Sequence, residues 1–422
     1  VTSPLKHSLA GLKKATGQLE SHWLRHCPNL DLWFVLILLG YLSLLLYRLA
    51  EPSGSLIFDE CYYVQAARVL AGLPVNAEGL PEDWYSFGDP NAEHPPLAKL
   101  IMALGFAVFQ QHEFAWRLPS VLFGMLSLMA VYGLVLRLGG SRAQGRFAVS
   151  VLAMDNLFFV HSRIATLDIF VVAFGLLGVL AYVSERHEIS GVLLGTAILC
   201  KITGLFVFFG LVLWEVSLFL FSGLPRVLGW RSLLRTGLFM FSFAYFSLGA
   251  LDCYYTEFRN PVDHVLHVFN FGSNLSRERG LDPQGIESTP LQWWLNEKSI
   301  DYLAVNTGSG DRVNSQVRFR GLMSLHLIAM APFILAFSVS PSASNCRKLA
   351  LLAACLFVAS YVPILLTWLR YRRICYLYYM LPCLPPTAVG VSCVVTRLPA
   401  WVRYLFLGCV LYSLVVLFPF RV

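Results

Sequence analysis

The chain reads as an all-α polytopic membrane protein, and three observations carry that expectation. Apolar runs of about 20 residues, the length that spans a bilayer, recur along it. Hydrophobic residues make up 57% of its 422 residues against 14% charged. The mean hydropathy is +0.62. A membrane β-barrel would alternate apolar and polar side chains in segments of about ten, and no such alternation occurs.

In chain order, residues 1–30 come first and carry Lys6, Lys13, Lys14 and Arg25 ahead of any apolar run, with no small-residue cleavage pattern after them. They read as a cytoplasmic N-terminal segment, not a cleaved signal peptide. Spans are then expected over 31–49, 97–111, 117–138, 146–160, 164–184, 190–221, 232–251, 321–340, 349–368, 374–396 and 400–420. That makes about eleven transmembrane helices. The run 190–221 reads as one long helix or two short ones, and the choice flips the side of everything after it.

Two polar segments interrupt the pattern, 50–96 and 252–320. With the N-terminus inside and one helix over 190–221, both fall on the outer face. Arg226, Arg231, Arg235, Arg347 and Lys348 then fall inside, as the positive-inside tendency asks. Arg142 and Arg146 fall outside and break it. The expected organisation is therefore a 31–251 module carrying the outer loop 50–96, a second outer loop 252–320, and a C-terminal module of four helices over 321–422. The net charge of +7 is scattered in short tracts between apolar runs, which membrane orientation explains without nucleic acid. The ten cysteines form no CxxC pair, and Cys200, Cys355, Cys383, Cys393 and Cys409 sit in apolar runs as small hydrophobes. Cys61 and Cys253 share a side on this count, which does not establish a disulfide.

Four stretches hold residues that can do chemistry. In FDECYYVQAARVLAG, Phe58 to Gly72, Asp59 and Glu60 are adjacent carboxylates near the bilayer surface, followed by Tyr62 and Tyr63. Asp59 fits as the N-cap of a short interfacial helix closed by Gly72, and equally as a general base with Glu60 positioning it or a ligand. In AEHPPLAKL, Ala92 to Leu100, Pro95 and Pro96 start the next helix at a defined angle, and His94 and Lys99 stand where either meets a phosphate. A snorkelling lysine on a proline-started helix is the plainer reading.

Lys201 lies about eleven residues into an apolar run, where a charge costs at least about 2.5 to 3.5 kcal/mol. It is either functional or paired with Asp155 or Asp168. In WLRYRRICYLYYMLPCLPP, Trp368 to Pro386, Arg370, Arg372 and Arg373 fall at an outer helix end, where a lipid phosphate favours guanidinium. Tyr376, Tyr378 and Tyr379 beside them make an aromatic interface belt or a sugar or prenyl platform. His264, His267 and Asp263 offer part of a divalent-metal ligand set at helical spacing, a weak signal. The chain has no P-loop, no GxGxxG after a strand, no HExxH and no GxSxG.

The order DE-x-YY, HPPLAK, WRLPSVLFG, HSRIATLD, GxxxGxAxxxKxxGLF and a closing segment rich in Arg and Tyr resembles the protein O-mannosyltransferase family and its bacterial relatives. The similarity covers about 30–221, and 285–420 more loosely through STPLQWWL and YLYYMLP. It implies the membrane-embedded GT-C glycosyltransferase fold and a plasma-membrane enzyme with its site on the outer face. It also implies a polyprenyl-phosphate sugar donor, most often mannose, and inverting transfer to a hydroxyl, such as Ser or Thr of exported proteins. In those terms Asp59 corresponds to the catalytic aspartate and Glu60 to its motif partner, while His94, Pro95, Pro96 and Lys99 match the loop that closes the site. The aminoarabinose transferases that modify lipid A resemble it too, with KPP for HPP, and leave a lipid or cell-wall glycan as an alternative acceptor. Two departures stand out: 252–320 is too short for the β-trefoil insert of the eukaryotic enzymes, and Ala98 replaces a usual Gly.

A lipid phosphate leaves as a stable anion, so one base and a cationic clamp suffice where a glycosidase needs two carboxylates. Arg372, Arg373 and Lys99 are expected to stabilise that leaving group, and Arg117 and Arg163 are expected to be structural, near the inner side. The rival class is a transporter or flippase for lipid-linked sugars. It predicts inverted repeats around a midplane site, for which Lys201 with Asp155 or Asp168 is the sole hint.

Overall fold

Asp31 opens the first helix: its carboxylate accepts from the Phe34 amide at 3.3 Å, the N-cap role that short acidic side chains fill. Helix α1 (Leu32–Leu46) follows as a wholly apolar run broken only by Gly, Tyr and Ser. The computed structural model describes residues 31–75, 88–221, 229–275, 286–294, 297–306, 315–321 and 346–417. The expected cytoplasmic segment 1–30, Arg226 and nearly all of the expected span 321–340 lie outside those residues.

After α1 come α2 (Glu60–Leu70), α3 (Leu97–Phe109), α4 (Glu113–Arg137), α5 (Arg142–Ala153), α6 (Asn156–His161) and α7 (Asp168–Val183). Helix α8 (His187–Cys200) leads through a 3-10 turn, Ile202–Gly204, into α9 (Leu205–Phe221), and α10 (Trp230–Tyr255) follows. The second polar segment holds α11 (Pro261–Asn274), α12 (Pro290–Trp294) and the antiparallel pair β1 (Ile300–Asn306) and β2 (Ser315–Gly321). The chain then runs through α13 (Arg347–Tyr371), a 3-10 segment Leu377–Cys383, α14 (Leu384–Val395) and α15 (Ala400–Leu417).

This corrects the expected fold class in two respects. The hairpin β1–β2 stands where an all-α chain was expected. Five helices among the described residues are long and apolar enough to cross a membrane, not about eleven: Glu113–Arg137, Ile202–Leu220, Trp230–Tyr255, Arg347–Tyr371 and Leu377–Val395. Five more apolar helices have only 10 to 17 residues.

The physical reason is that apolar runs continue through places where the helix does not. Lys201 adopts an extended backbone (φ −163°, ψ 137°) and splits 190–221. Asp155 caps α6 by accepting from the Phe158 amide at 3.0 Å, so 146–160 breaks there. Helix α3 has 13 residues, about 20 Å against a hydrocarbon core of about 30 Å.

Contacts fix which elements share an end. Asp31 accepts from Tyr132 Oη at 2.6 Å and Arg146 at 3.1 Å, so the start of α1, the last turns of α4 and the start of α5 lie together. Gln144 then reaches Cys393 and Cys346, which brings the end of α14 and the start of α13 to the same end. At the opposite end of α1, Arg163 donates to Tyr47 O at 2.9 Å and Arg117 to Leu49 O at 3.1 Å. Arg117 and Arg163 therefore sit with the 48–60 loop, away from the Asp31 end where the sequence reading put them. Arg142 and Arg146 move the other way, to the Asp31 end.

Two departures from the expected path cancel. After α3 the chain has not changed ends, because Glu113 accepts from the Gly54 amide at 2.5 Å and Gln111 from Arg68 at 3.1 Å. At Lys201 it reverses: α9 leads back to Glu215, which binds Tyr182 at the end of α7, and Trp214 reaches Lys348 O. The second polar segment thus joins the first, with the Asp89 amide on Tyr255 O at 2.6 Å.

Helices α8 and α10 pack closely through Gly191 and Gly195, one turn apart. A Cβ on Gly191 would stand 2.6 Å from Thr236 O, and one on Gly195 2.9 Å from Met240 O. Small residues at this spacing let membrane helices approach. The core gathers Phe158, Phe159, Phe170 and Trp293, all fully buried. Leu238, Phe241 and Phe246 on α10, and Trp401, Tyr404 and Leu405 on α15, face outward, as side chains do on a lipid-facing surface. The protein is a multi-pass membrane protein.

Candidate active site

Asp59 directly precedes α2, yet its side chain makes no capping bond with that helix. It lines a cavity of about 710 Å³ instead. Phe58 before it holds a left-handed backbone (φ 54°), a conformation that costs a bulky residue roughly 1 to 3 kcal/mol. The Phe58 ring packs edge-on against Tyr302 (4.8 Å) and Tyr378 (5.7 Å), and these contacts hold the strained turn that presents Asp59.

The cavity collects charge from distant parts of the chain: Asp59, Glu93, Asp168, Lys201 and Arg373, together with Tyr62, Tyr63, His94, Tyr376, Tyr378 and Tyr379. Its other walls are apolar, built by Val171, Val172, Leu176 and Val179 of α7, by Phe206 and Val207, and by Val268 and Phe269 of α11. Lys201 Nζ lies 2.9 Å from Asp168 Oδ1 and over the rings of Tyr378 (5.4 Å) and Tyr379 (5.7 Å). Of the two carboxylates weighed as its partner, Asp168 is the one it meets. The charge at depth is thus compensated by an ion pair and two ring faces.

Burial pushes the Asp59 carboxyl up to about 7; the neighbouring carboxylates Asp168 and Glu93 push the same way, and Lys201 pulls against them. Glu93 is likewise raised by burial, and one of its oxygens accepts from Asn91 Nδ2 at 2.7 Å. Burial, then the charges of Lys201, Lys99 and Arg373, holds the His94 imidazole well below its ordinary value, so His94 is neutral.

Not every expected site residue reaches this cavity. Glu60 is fully buried beneath it, in a two-pronged pair with Arg117 (Nε–Oε1 2.9 Å, Nη2–Oε2 2.9 Å), and accepts also from the amides of Ile57 and Ala165. Lys99 is buried on Asp89 (2.5 Å) and donates to Asn91 O (2.5 Å) and His94 O (2.9 Å), so it holds the loop from behind. Arg370 and Arg372 are exposed beyond the rim; Arg372 ends α13 in a left-handed conformation (φ 51°) with its guanidinium over Trp368. Arg373 alone of the three turns inward, against Gly272 of α11, and its buried Nε makes no hydrogen bond among the described residues.

Glu93 and Tyr302 were not singled out from sequence. Glu93 stands beside His94 in a quoted motif, which is a usable signal. Tyr302, whose Oη is 2.7 Å from His161 Nε2, gave none. His264 and His267 do not form a metal site with Asp263: His264 is engaged with Asp252 and Ala92, and no cluster of three metal-binding side chains occurs among the described residues.

Comparison with known proteins bears on residues 93–247, which match the family described as dolichyl-phosphate-mannose-protein mannosyltransferase. That stretch of the chain is similar to the family. The matched stretch carries His94, Lys99, Arg117, Arg163, Asp168 and Lys201, and begins after Asp59 and Glu60. Among curated relatives, the polyprenol-phosphate-mannose--protein mannosyltransferase of Corynebacterium glutamicum is 32% identical over 190 residues, 44% of this chain and 36% of that protein. The Mycobacterium tuberculosis protein of the same description is 33% identical over 138 residues, 32% of this chain and 25% of that protein. The alignments thus span about a third or less of those mannosyltransferases.

The GT-C fold is shared more widely. The Saccharomyces cerevisiae protein O-mannosyltransferase Pmt1-Pmt2 complex bound to the sugar donor superposes with a TM-score of 0.68 at 12% identity, over 92% of this chain and 89% of that one. ArnT from Cupriavidus metallidurans bound to undecaprenyl phosphate gives 0.55 at 18% identity, over 91% and 63%.

Proposed function

We propose that this protein moves a mannosyl group from a polyprenyl phosphate to a hydroxyl of a protein acceptor, with Asp59 as the general base. The observation that carries this reading is a carboxyl poised near pH 7 at the polar end of a cavity whose far walls are apolar. Such a base is half ionised where it works, which suits proton transfer at neutral pH.

In this reading the acceptor hydroxyl gives its proton to Asp59 as its oxygen attacks the anomeric carbon from the face opposite the phosphate. The carbon–oxygen bond to phosphate breaks, its electron pair leaves on the lipid phosphate, and the sugar inverts. Arg373 and Lys201 face that anion, and the apolar walls of α7 and α11 receive the first units of the prenyl chain. In this reading the module 31–251 supplies the base and Lys201, and the module 321–422 supplies Arg373, with 252–320 between them. The loop end is assigned to the outer face, because Arg142, Arg146, Lys348 and Arg235 lie toward the opposite end and basic residues favour the inner side.

The test uses the purified full chain in lipid nanodiscs with polyprenyl phosphate mannose and a Ser/Thr-rich peptide, beside a parallel reaction with a lipid acceptor. The peptide should gain one hexose by mass. A product on the lipid alone would overturn the acceptor, and no product on either would overturn the reaction. Arg373→Ala should raise the donor KM about tenfold or more, the loss of a charge-assisted contact to phosphate. An unchanged KM would remove Arg373 from the phosphate site.

A further inference from the structure

The segment that carries Glu93 and His94 is gripped from two sides. Lys99 on α3 holds the carbonyls of Asn91 and His94, as described above. Of the two carbonyls between them, that of Ala92 faces the second polar segment, where His264 of α11 places Nε2 at 2.9 Å. The other ring nitrogen, Nδ1, lies 2.7 Å from Asp252 Oδ1 at the end of α10. Both side chains are buried, His264 completely.

Both partners of the imidazole are acceptors. A carbonyl only accepts, and the Asp252 carboxylate already accepts from Thr256 Oγ1 at 3.1 Å. His264 therefore donates from Nε2 to the Ala92 carbonyl while Asp252 holds the other edge of the ring, and Phe258 stacks on the ring at 4.4 Å to fix its plane. His264 and Ala92 are 172 residues apart, so this bond ties the second polar segment to the loop that forms one wall of the cavity.

We propose that His264, oriented by Asp252, is a positioning residue for sugar transfer: its Nε2–H holds the Ala92 carbonyl and so sets where Glu93 and His94 stand in the cavity. The kinetic side of this rests on the transfer reading above; the structural side does not.

Two amide variants separate the roles of the two nitrogens. His264→Gln keeps a donor near the Nε2 position, toward Ala92, whereas His264→Asn keeps one near Nδ1, toward Asp252. With polyprenyl phosphate mannose and the Ser/Thr-rich peptide, His264→Asn should lose about 10- to 100-fold in kcat with little change in donor KM, the scale of an angstrom-level misplacement. His264→Gln should keep the larger share of kcat. Equal losses, or the reverse order, would overturn the proposal and leave His264 as packing for Asp252.

Hydrogen–deuterium exchange of the same full-length variants reads the loop without activity. Amides over 88–97 should exchange faster in His264→Asn than in His264→Gln; equal rates would overturn the proposal even where the parent protein transfers no sugar. Should His264→Asn fail to fold, Asp252→Asn takes its place, with faster exchange over 88–97 expected and unchanged exchange overturning.

Discussion

Asp59→Asn should lower the proposed transfer by about 10² to 10⁴-fold while leaving the donor bound, because Asn keeps the shape of the carboxyl but takes no proton. In the parent protein, kcat/KM should climb with pH through a midpoint near 7, where the buried Asp59 carboxyl ionises. The sign follows from the base form: below that midpoint the group is protonated and idle, above it the group is ionised and active. Lys201→Met removes the positive charge that pulls Asp59 down, so the rising limb should move to higher pH. Initial rates at saturating and limiting donor, across pH 5.5 to 9, about 1.5 to 2 units either side of that midpoint, check both statements. Near-parental turnover in Asp59→Asn, or a limb that stays in place in Lys201→Met, would take Asp59 out of the proton-transfer role.

Much of this site was legible in the sequence because its residues sit in short, odd stretches. A lysine inside GVLLGTAILCKITGLF announces itself, and so do DE before YY and HPP before an apolar run. The multi-pass helical character was equally plain from the apolar runs. What sequence could not show was where an apolar run stops being one helix. Hydropathy has no sign for the extended backbone at Lys201 or for the short α3, and the count of spans failed there.

The partners were hidden for a related reason. Asp59 and Glu60 are neighbours, but they precede and begin a helix, where successive side chains diverge by about 100°. One faces the cavity and the other the protein interior, and which is which depends on Arg117, 57 residues away. Lys99 likewise stands in the right motif and points the wrong way for a phosphate, since Asp89 draws it inward. Among RYRR, the left-handed turn at Arg372 sends Arg373 into the cavity and leaves Arg372 outside.

The same divergence sets the second large effect, on folding. Glu60 takes four N–H donors on two oxygens: Arg117 Nε and Ala165 N on one, Arg117 Nη2 and Ile57 N on the other. Glu60→Gln keeps one oxygen and turns an NH₂ toward two donors, so two bonds become repulsive. Arg117 meanwhile stays where it is, held by the carbonyls of Leu49, Glu51 and Ser55, and becomes a buried cation without its counter-ion. Breaking a buried pair in this way costs about 3 to 5 kcal/mol, comparable with a large part of the stability of a folded domain. Glu60→Gln should therefore melt well below the parent protein in the same detergent, or fail to accumulate. Glu60→Asp should fall between the two, since it keeps the charge but draws it back by one methylene. The loop that presents Asp59 runs between Glu51 and Glu60, so activity should be lost along with the fold and at the same temperature. A Glu60→Gln protein that melts with the parent but has lost turnover would return Glu60 to the reaction and leave Arg117 with no structural charge to answer.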